Sequence, residues 1–424
     1  MRAPASELLI RLFRAGLDAA APANCLPAHL PVRRPAGRTV ILGAGKAAAA
    51  MAATVAAWHA GRGLGPLTGA VVTRHGHGLR AGEQAPGIEI LEAGHPVPDA
   101  ASVAAGARIL ELARGCGPDD RCIVLLSGGA SSLLVQPADG LTLADKQSVT
   151  RQLLASGATI AEINTVRRKL SAIKGGGLAR QIRAGEILLL AISDVPGDVI
   201  ADIGSGPLSA DPASRADACA ILDRYRIAPP PAVSRVLAAP DGAGMASTAA
   251  LPPVDARVVA GPATAVAAVA RAAGAEGWPV RVLPDANGPA REAALAHAAL
   301  IRELRASGTR TALVSGGETT VTVTSEGGQG GRNGEYLLAL ALELGADAGV
   351  HALAADTDGL DGTGDNAGAL LAPDTLRRAA GAGEDAAARL AAQCSYPFFA
   401  ALGDLVITGP TRTNVNDLRI ALVD

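Results

Sequence analysis

This chain has few aromatic residues and no large excess of positive or negative charge. Phe, Trp and Tyr together make up 2% of its 424 residues, and the formal net charge is −2. Proteins that bind nucleic acids usually present a basic surface, with aromatic side chains on which bases stack. The composition therefore argues against nucleic acid as a partner.

Long apolar runs and cysteine pairs are also missing. No apolar run approaches the roughly 18 residues that a membrane-spanning helix needs, so we expect no membrane partner. The five cysteines are odd in number and form no Cys-x-x-Cys pair. This is not the pattern of a disulfide framework, and it makes the reducing cytoplasm the expected location. The sequence leaves homodimerisation open.

Apolar residues, at 49% of the chain, are abundant enough for a large buried core. Short β-branched runs alternate with helical patterns, which is typical of a parallel sheet covered on both faces. Prolines and glycines replace this alternation between residues 227 and 254, and a second alternation follows. We therefore predict an α/β protein with two domains, residues 1–240 and residues 241–424.

A glycine turn near the N-terminus carries a lysine. Gly43 and Gly45 end an apolar strand, and Lys46 opens an alanine-rich helix, so N–H groups could converge there on an anion. The pattern resembles a dinucleotide fingerprint, but the next strand ends at Thr73 without the expected acid. A Walker A loop is absent because Ala47 follows the lysine. Lys46 instead indicates a phosphate that is held by charge.

Two strands end in the same Ser-Gly-Gly sequence, at residues 123–132 and 311–320. In open α/β sheets, ligands bind at the carboxyl ends of strands, where small residues leave backbone N–H groups accessible. We expect both loops to bind phosphate, nucleotide or substrate. The candidate residues are Ser127, Gly128, Gly129, Ser131, Ser132, Ser315, Gly316, Gly317 and Thr319, together with Gly43 and Gly45 of the first turn.

Carboxylates follow three of the predicted strands. We expect Asp194 to orient or deprotonate a hydroxyl group, and Glu318, Asp356 and Asp358 to bind a metal ion. Donors for phosphate oxygens, a cation bridge and a base are the parts that phosphoryl transfer needs. Hydride transfer requires neither a second Ser-Gly-Gly loop nor an acidic loop. Each carboxylate could alternatively belong to a solvated turn.

Ten stretches, in family order over nearly the whole chain, resemble the glycerate 2-kinase family. They are residues 42–46, 92–99, 126–132, 173–176, 193–198, 204–207, 314–319, 330–333, 358–363 and 409–417. The resemblance implies a Rossmann-like N-terminal domain, a C-terminal domain of the MOFRL type and an active site in the cleft between them. It also implies ATP-dependent phosphorylation of D-glycerate at its 2-hydroxyl, with Mg²⁺.

The same resemblance assigns residues. The catalytic lysine and arginine of the family fall on Lys46 and Arg332, and Asn333 belongs to the binding set. The chain departs from the family pattern in three places: Gly334 replaces a usual Gln, Arg412 replaces a small residue, and residues 260–264 lack a usual Asn.

Two other functions remain open at this point. Some family members carry the name hydroxypyruvate reductase, and in an NAD(P)H-dependent enzyme of that kind Arg74 could meet a 2′-phosphate. The third possibility is a non-enzymatic sensor that binds a sugar acid or nucleotide with the same loops.

Overall fold

The computed structural model describes residues 4–239, 250–322, 327–345 and 349–424. Contacts divide the chain into two compact units. The N-terminal unit comprises Cys25–Val259. The C-terminal unit comprises Ala260–Asp424 together with the N-terminal residues through Asn24. The boundary predicted near residue 240 lies outside the described residues.

Strands and helices alternate along most of the chain, and the predicted α/β class is confirmed. The strands are β1 (Thr39–Ala44), β2 (Leu67–Arg74), β3 (Ile88–Ala93), β4 (Arg121–Leu126), β5 (Glu186–Ile192), β6 (Asp255–Ala260), β7 (Val280–Val282), β8 (Gly288–Pro289), β9 (Thr311–Ser315), β10 (Thr319–Thr320), β11 (Val350–Asp356), β12 (Gly368–Leu371), β13 (Leu405–Val406) and β14 (Asp417–Val423). The α-helices are α1 (Ala5–Ala20), α2 (Pro22–Cys25), α3 (Ala48–Arg62), α4 (Ala100–Arg114), α5 (Ala130–Leu133), α6 (Leu143–Ala155), α7 (Ile160–Lys169), α8 (Arg215–Arg224), α9 (Pro231–Ala238), α10 (Pro262–Ala275), α11 (Ala290–Ala306), α12 (Arg332–Leu344), α13 (Thr375–Gly381), α14 (Ala386–Ala391) and α15 (Ser395–Leu402).

The sheet of the N-terminal unit has the strand order β3-β2-β1-β4-β5-β6. The pairs from β3 through β5 are all parallel. Every residue of β1 and β4 is buried, as expected for strands that are covered by helices on both faces. This arrangement brings the carboxyl ends of β1, β4 and β5 to one edge of the sheet, where ligands bind in open α/β folds.

The sheet of the C-terminal unit is mixed, with the order β13-β12-β11-β14-β9-β7. The central strand β14 pairs antiparallel with β11 and β9, whereas β7 joins β9 in parallel. This confirms the predicted mixed α/β character of the C-terminal region. Strand β14 therefore lies in the interior of this sheet, between β11 and β9.

Helix α1 belongs to the C-terminal unit, although the sequence prediction placed residues 1–240 in one domain. It packs against α10, β11 and β14. The residues of α1 that are buried include Leu9, Leu12 and Phe13. Gly16 permits the close approach, because a Cβ at that position would lie 2.6 Å from Leu418 Cδ1. Sequence proximity alone could not indicate this packing.

Membrane-spanning candidates were sought among the helices of the described ranges. None of those helices is both long enough and apolar enough to cross a bilayer.

The C-terminal unit buries all three of the chain's phenylalanines. Phe398 and Phe399 are fully buried, with ring centroids 5.1 Å apart in an edge-to-face arrangement. We expect Phe398→Ala to lower the free energy of unfolding by about 3–5 kcal/mol, through lost burial and the cavity that remains. Urea unfolding followed by circular dichroism measures this change.

The matched control is Leu295→Ala, which truncates a half-exposed side chain on α11 of the same unit. It should change the unfolding free energy by only about 0.5 kcal/mol. Equal urea midpoints for Phe398→Ala and the wild type would contradict the packing described here.

Candidate active site

The turn after β1 is closed by hydrogen bonds within the protein. The N–H groups of residues 45–48 all donate to protein oxygens, at distances of 2.8–3.0 Å. The acceptors include Gly128 O and the Ser127 hydroxyl, both in the loop after β4. These N–H groups therefore do not form the backbone anion cradle that the sequence indicated at Gly43 and Gly45.

The two glycines instead let β1 and β4 approach each other closely. A Cβ on Gly43 would lie 2.6 Å from Leu125 O, and one on Gly45 would lie 2.1 Å from Ser127 Oγ. Gly45 also has a φ of +132°, which side chains rarely permit. A larger residue at either position would push the two loops apart.

The Lys46 side chain lies against the Ser-Gly-Gly loop that follows β4. A Cβ added to Gly129 would meet Lys46 Cγ at 3.4 Å and the His95 ring at 3.0 Å. Both side chains therefore lie over the Gly129 backbone, where the chain has a φ of +82°. Lys46 is half-buried at the carboxyl edge of the sheet, a position in which a flexible cation can meet an anionic ligand. The sequence analysis gave His95 no role.

The three serines of this loop differ in exposure. Ser127 and Ser132 are buried; the Ser127 hydroxyl binds the turn after β1, and Ser132 Oγ donates to Gly129 O at 3.2 Å. Ser131 is half-exposed, and its Oγ lies 2.8 Å from Ser205 Oγ. Ser131 is therefore the least buried serine of the three.

Asp194 follows β5 by two residues and is half-buried. Since β5 pairs in parallel with β4, the turn that contains Asp194 lies at the same sheet edge as the Ser-Gly-Gly loop. The Ser193 hydroxyl accepts the Val195 N–H at 3.2 Å and fixes this turn. The proposed role of Asp194 as a base stays a prediction.

Arg332, the first residue of α12, is surrounded by three carboxylates in the C-terminal unit. Its Nε lies 3.0 and 2.9 Å from the two oxygens of Asp417. Its Nη2 lies 2.8 Å from Asp356 Oδ2, and its Nη1 lies 3.0 Å from Glu318 Oε1. Burial alone would lower the pKa of Arg332, but the three carboxylates raise it above its ordinary value. The guanidinium is therefore a fixed and oriented positive charge.

Asp417 and Arg419 form a buried ion pair that the sequence analysis missed. Asp417 Oδ2 accepts from Arg419 Nη2 at 2.7 Å, and its Oδ1 accepts from the Asn333 side chain at 2.8 Å. The available signal was alternation along β14. It places these two charged residues on one face of an otherwise apolar strand, where buried charges must find partners.

The second Ser-Gly-Gly loop is bound by the same arginine. Arg419 donates to Gly316 O at 3.0 Å and to the Thr319 hydroxyl at 2.8 Å. Gly317 turns the chain with a φ of +95°. The Ser315 hydroxyl is buried and has no hydrogen-bond partner among the described residues. The polar groups of this loop are thus directed largely toward the protein, whereas the sequence predicted contacts to a ligand.

Asp361 caps the N-terminus of α12 from a separate loop. Its Oδ1 accepts the Asn333 N–H at 3.0 Å, and its Oδ2 accepts the Gly334 N–H at 2.8 Å. This cap is needed because Gly331, at the N-cap position, has no side chain. Asn333 is fully buried, so the structure places this predicted binding residue in the scaffold around Arg332.

The three predicted metal ligands have other partners. Glu318 and Asp356 both bind Arg332, and Asp358 Oδ1 accepts the Leu360 N–H at 2.8 Å. Within the described ranges, no group of three or more His, Cys, Asp or Glu is placed to hold a metal ion. The arrangement therefore differs from the predicted three-carboxylate site, because the Arg332 guanidinium is paired with two of the three carboxylates.

Burial raises the pKa of Asp361 to about 6, although the N–H groups of Asn333 and Gly334 act in the opposite direction. The ordinary value is 3.8, so between these pH values the folded protein binds a proton that the unfolded chain has lost. The resulting stabilisation is full below about pH 4 and is lost as the pH rises through 6. The loss should amount to at most about 3 kcal/mol.

Asp361→Asn cannot titrate, so its unfolding free energy should lack this fall between pH 4 and pH 7. Urea unfolding at four pH values measures the difference from the wild type. Glu303→Gln, on an exposed position of α11, should keep the wild-type dependence. An unchanged pH dependence in Asp361→Asn would refute the assigned protonation.

Comparison with known proteins places this chain in a family. A model described as a domain of unknown function, DUF4147, matches residues 8–238, and the MOFRL family model matches residues 311–417. The chain is 35% identical to the D-glycerate 2-kinase of Thermotoga maritima, over 98% of both chains. It is 48% identical to an Agrobacterium vitis protein named putative hydroxypyruvate reductase, over 99% of this chain and 94% of that one.

A solved structure shows the same fold. The crystal structure of a Thermotoga maritima glycerate kinase superposes with a TM-score of 0.87 at 33% identity, covering 99% of both chains. The resemblance that the ten stretches indicated is confirmed over the full length. The chain therefore belongs to the glycerate 2-kinase family of enzymes.

Proposed function

We propose that the protein is an ATP-dependent D-glycerate 2-kinase, which forms 2-phosphoglycerate and ADP. The observation that carries the proposal is the Arg332 guanidinium, a cation oriented by three carboxylates at the start of α12. Full-length similarity to a Thermotoga maritima enzyme of that name supports the reaction and its substrates, D-glycerate and ATP.

Phosphoryl transfer is accelerated mainly by positive charge placed where the transferring group accumulates negative charge. Lys46 and Arg332 supply that charge. Ser131 binds the substrate from the loop after β4. Asp194 orients or deprotonates the 2-hydroxyl group that attacks the γ-phosphorus.

Mg²⁺ accompanies the nucleotide in this proposal. Magnesium is commonly bound by one or two carboxylates together with substrate phosphates, and an all-protein cage is not required. Asp356 and Asp358 are the residues that would hold it, since both offer hard oxygen donors and the Asp358 N–H donates to Asp356 Oδ1 at 2.8 Å. The bound ion would neutralise charge on the phosphate oxygens.

An NAD(P)H-dependent hydroxypyruvate reductase is the alternative that the Agrobacterium vitis relative's name raises. Dinucleotide-binding folds hold the pyrophosphate with N–H groups of the first βα turn. Here the N–H groups of residues 45–48 donate to protein oxygens instead. This observation favours the kinase.

We also propose that the enzyme works in the cytoplasm. None of its five cysteines, all within the described ranges, forms a disulfide. Thiols persist in reducing compartments.

One experiment separates the functions. The purified protein is incubated with D-glycerate, ATP and Mg²⁺, and ADP and 2-phosphoglycerate are measured. A parallel sample follows NADH and NADPH consumption with hydroxypyruvate. We expect equal amounts of ADP and 2-phosphoglycerate and no nicotinamide oxidation. Reduction of hydroxypyruvate without ADP formation would reverse the assignment, and inactivity in both assays would favour a sensor.

We expect Lys46→Ala to lower kcat about 10²–10³-fold, the usual effect of removing one donor to a transition state. Arg332→Lys should cause a loss of similar size, because an ammonium keeps the charge but cannot bind Asp417 and Asp356 in the same geometry. Steady-state kinetics with saturating ATP and D-glycerate measure both.

The controls remove an exposed arginine from each unit, Arg151→Ala on α6 and Arg271→Ala on α10. Both should retain wild-type kcat. Near-normal turnover of Lys46→Ala would exclude Lys46 from the reaction, and the same result for Arg332→Lys would show that charge alone suffices there.

A further inference from the structure

A turn of three left-handed residues lies beside the Ser131 loop. Gly204, Ser205 and Gly206 have φ values of 61°, 64° and 64°. Glycine adopts this conformation readily, whereas a residue with a Cβ is disfavoured in it. Serine therefore occupies a position at which a third glycine would fit the backbone better. The hydroxyl group of Ser205 is what distinguishes it from glycine.

That hydroxyl contacts the accessible serine of the candidate site. Ser205 is 1% exposed, and its Oγ lies 2.8 Å from the Oγ of half-exposed Ser131. Ser205 is too deeply buried to reach a ligand, but Ser131 is not. An unrestrained serine hydroxyl samples several rotamers, and a hydrogen bond to a buried partner selects one of them.

The segment around Lys174 clamps both loops. Lys174 is 4% exposed, and its Nζ donates to Ser131 O at 2.7 Å and lies 3.5 Å from Gly204 O. The Gly175 N–H donates to Ser205 O at 3.1 Å. Surrounding contacts of this kind are what maintain a residue in a disfavoured backbone conformation, and such residues concentrate at functional sites.

We propose that Ser205 is a positioning residue for substrate recognition. Its hydroxyl donates to Ser131 Oγ, which directs the Ser131 hydroxyl proton toward the carboxylate of a small hydroxy acid. Lys174 holds the two loops at the separation that this contact requires. The inference rests on the proposed kinase function, since it assigns Ser131 to the D-glycerate site.

Two substitutions separate stability from activity. Ser205→Gly should melt at or above the wild-type temperature, because glycine accepts the left-handed backbone. Ser205→Ala should melt below Ser205→Gly, because it keeps the disfavoured conformation and loses the hydrogen bond. Both should lower kcat/KM for D-glycerate about tenfold, the usual effect of losing one hydrogen bond, without changing KM for ATP. A purely structural role would tie activity to melting temperature.

Arg226→Gly is the control for relief of backbone strain. Arg226 is exposed after α8 and has a φ of 54°. Glycine there should also maintain or raise the melting temperature, but kcat/KM should not change.

A double-mutant cycle tests whether Ser205 acts through Ser131. Once Ser131→Ala is present, adding Ser205→Gly should not lower kcat/KM further. Additive losses, or wild-type kcat/KM in Ser205→Gly, would overturn the positioning role while leaving the kinase assignment intact. Wild-type protein that forms no ADP would remove the kinase assignment, and the inference would fall with it.

Discussion

A buried carboxylate shared by two arginines supports the C-terminal part of the site. Asp417 is fully buried, and a carboxylate in that position is tolerated only when it is paired and hydrogen-bonded. Arg332 and Arg419 both bind it, and Arg419 also binds the loop after β9. One charge therefore couples β14, the start of α12 and a Ser-Gly-Gly loop. Orientation of the Arg332 guanidinium depends on this coupling.

In the N-terminal unit, hydrogen bonds and close packing hold the loops of the candidate site in place. Its two loops are joined through backbone N–H groups, the Ser127 hydroxyl and glycines that permit close approach. Because Gly129 has no side chain, Lys46 lies directly over backbone. The N-terminal unit thus presents a lysine over the Gly129 backbone, whereas the C-terminal unit presents an arginine that carboxylates hold in place.

Local signals predicted the fold well. Buried strands such as β1 and β4 are short β-branched runs, and glycines mark where they end, so periodicity and turn residues located them. Lys46 and Arg332 were assigned from sequence motifs that follow one another along the chain in the same order as in the family. The packing of α1 in the C-terminal unit left no such signal, since it depends on surfaces that are far apart in sequence.

The partners of individual polar groups could not be predicted either. Carboxylates at strand ends suggested a metal site, but Glu318 and Asp356 bind Arg332. The cap of α12 comes from Asp361, nearly thirty residues beyond the helix start. Glycines that suggested an anion cradle serve close packing instead. In each case only tertiary structure decided which groups meet.

The central claim is that Asp417 orients Arg332 for phosphoryl transfer. The most direct measurement is kcat of Asp417→Asn with D-glycerate and ATP, on protein whose circular dichroism shows that it is folded. Asparagine keeps the shape but removes the negative charge, and its NH2 group cannot accept the hydrogen bonds that Oδ1 receives from Arg332 and Asn333. We predict a loss of about 10²-fold in kcat, as expected when a catalytic group moves by about 1 Å. Wild-type kcat in the folded variant would contradict the account.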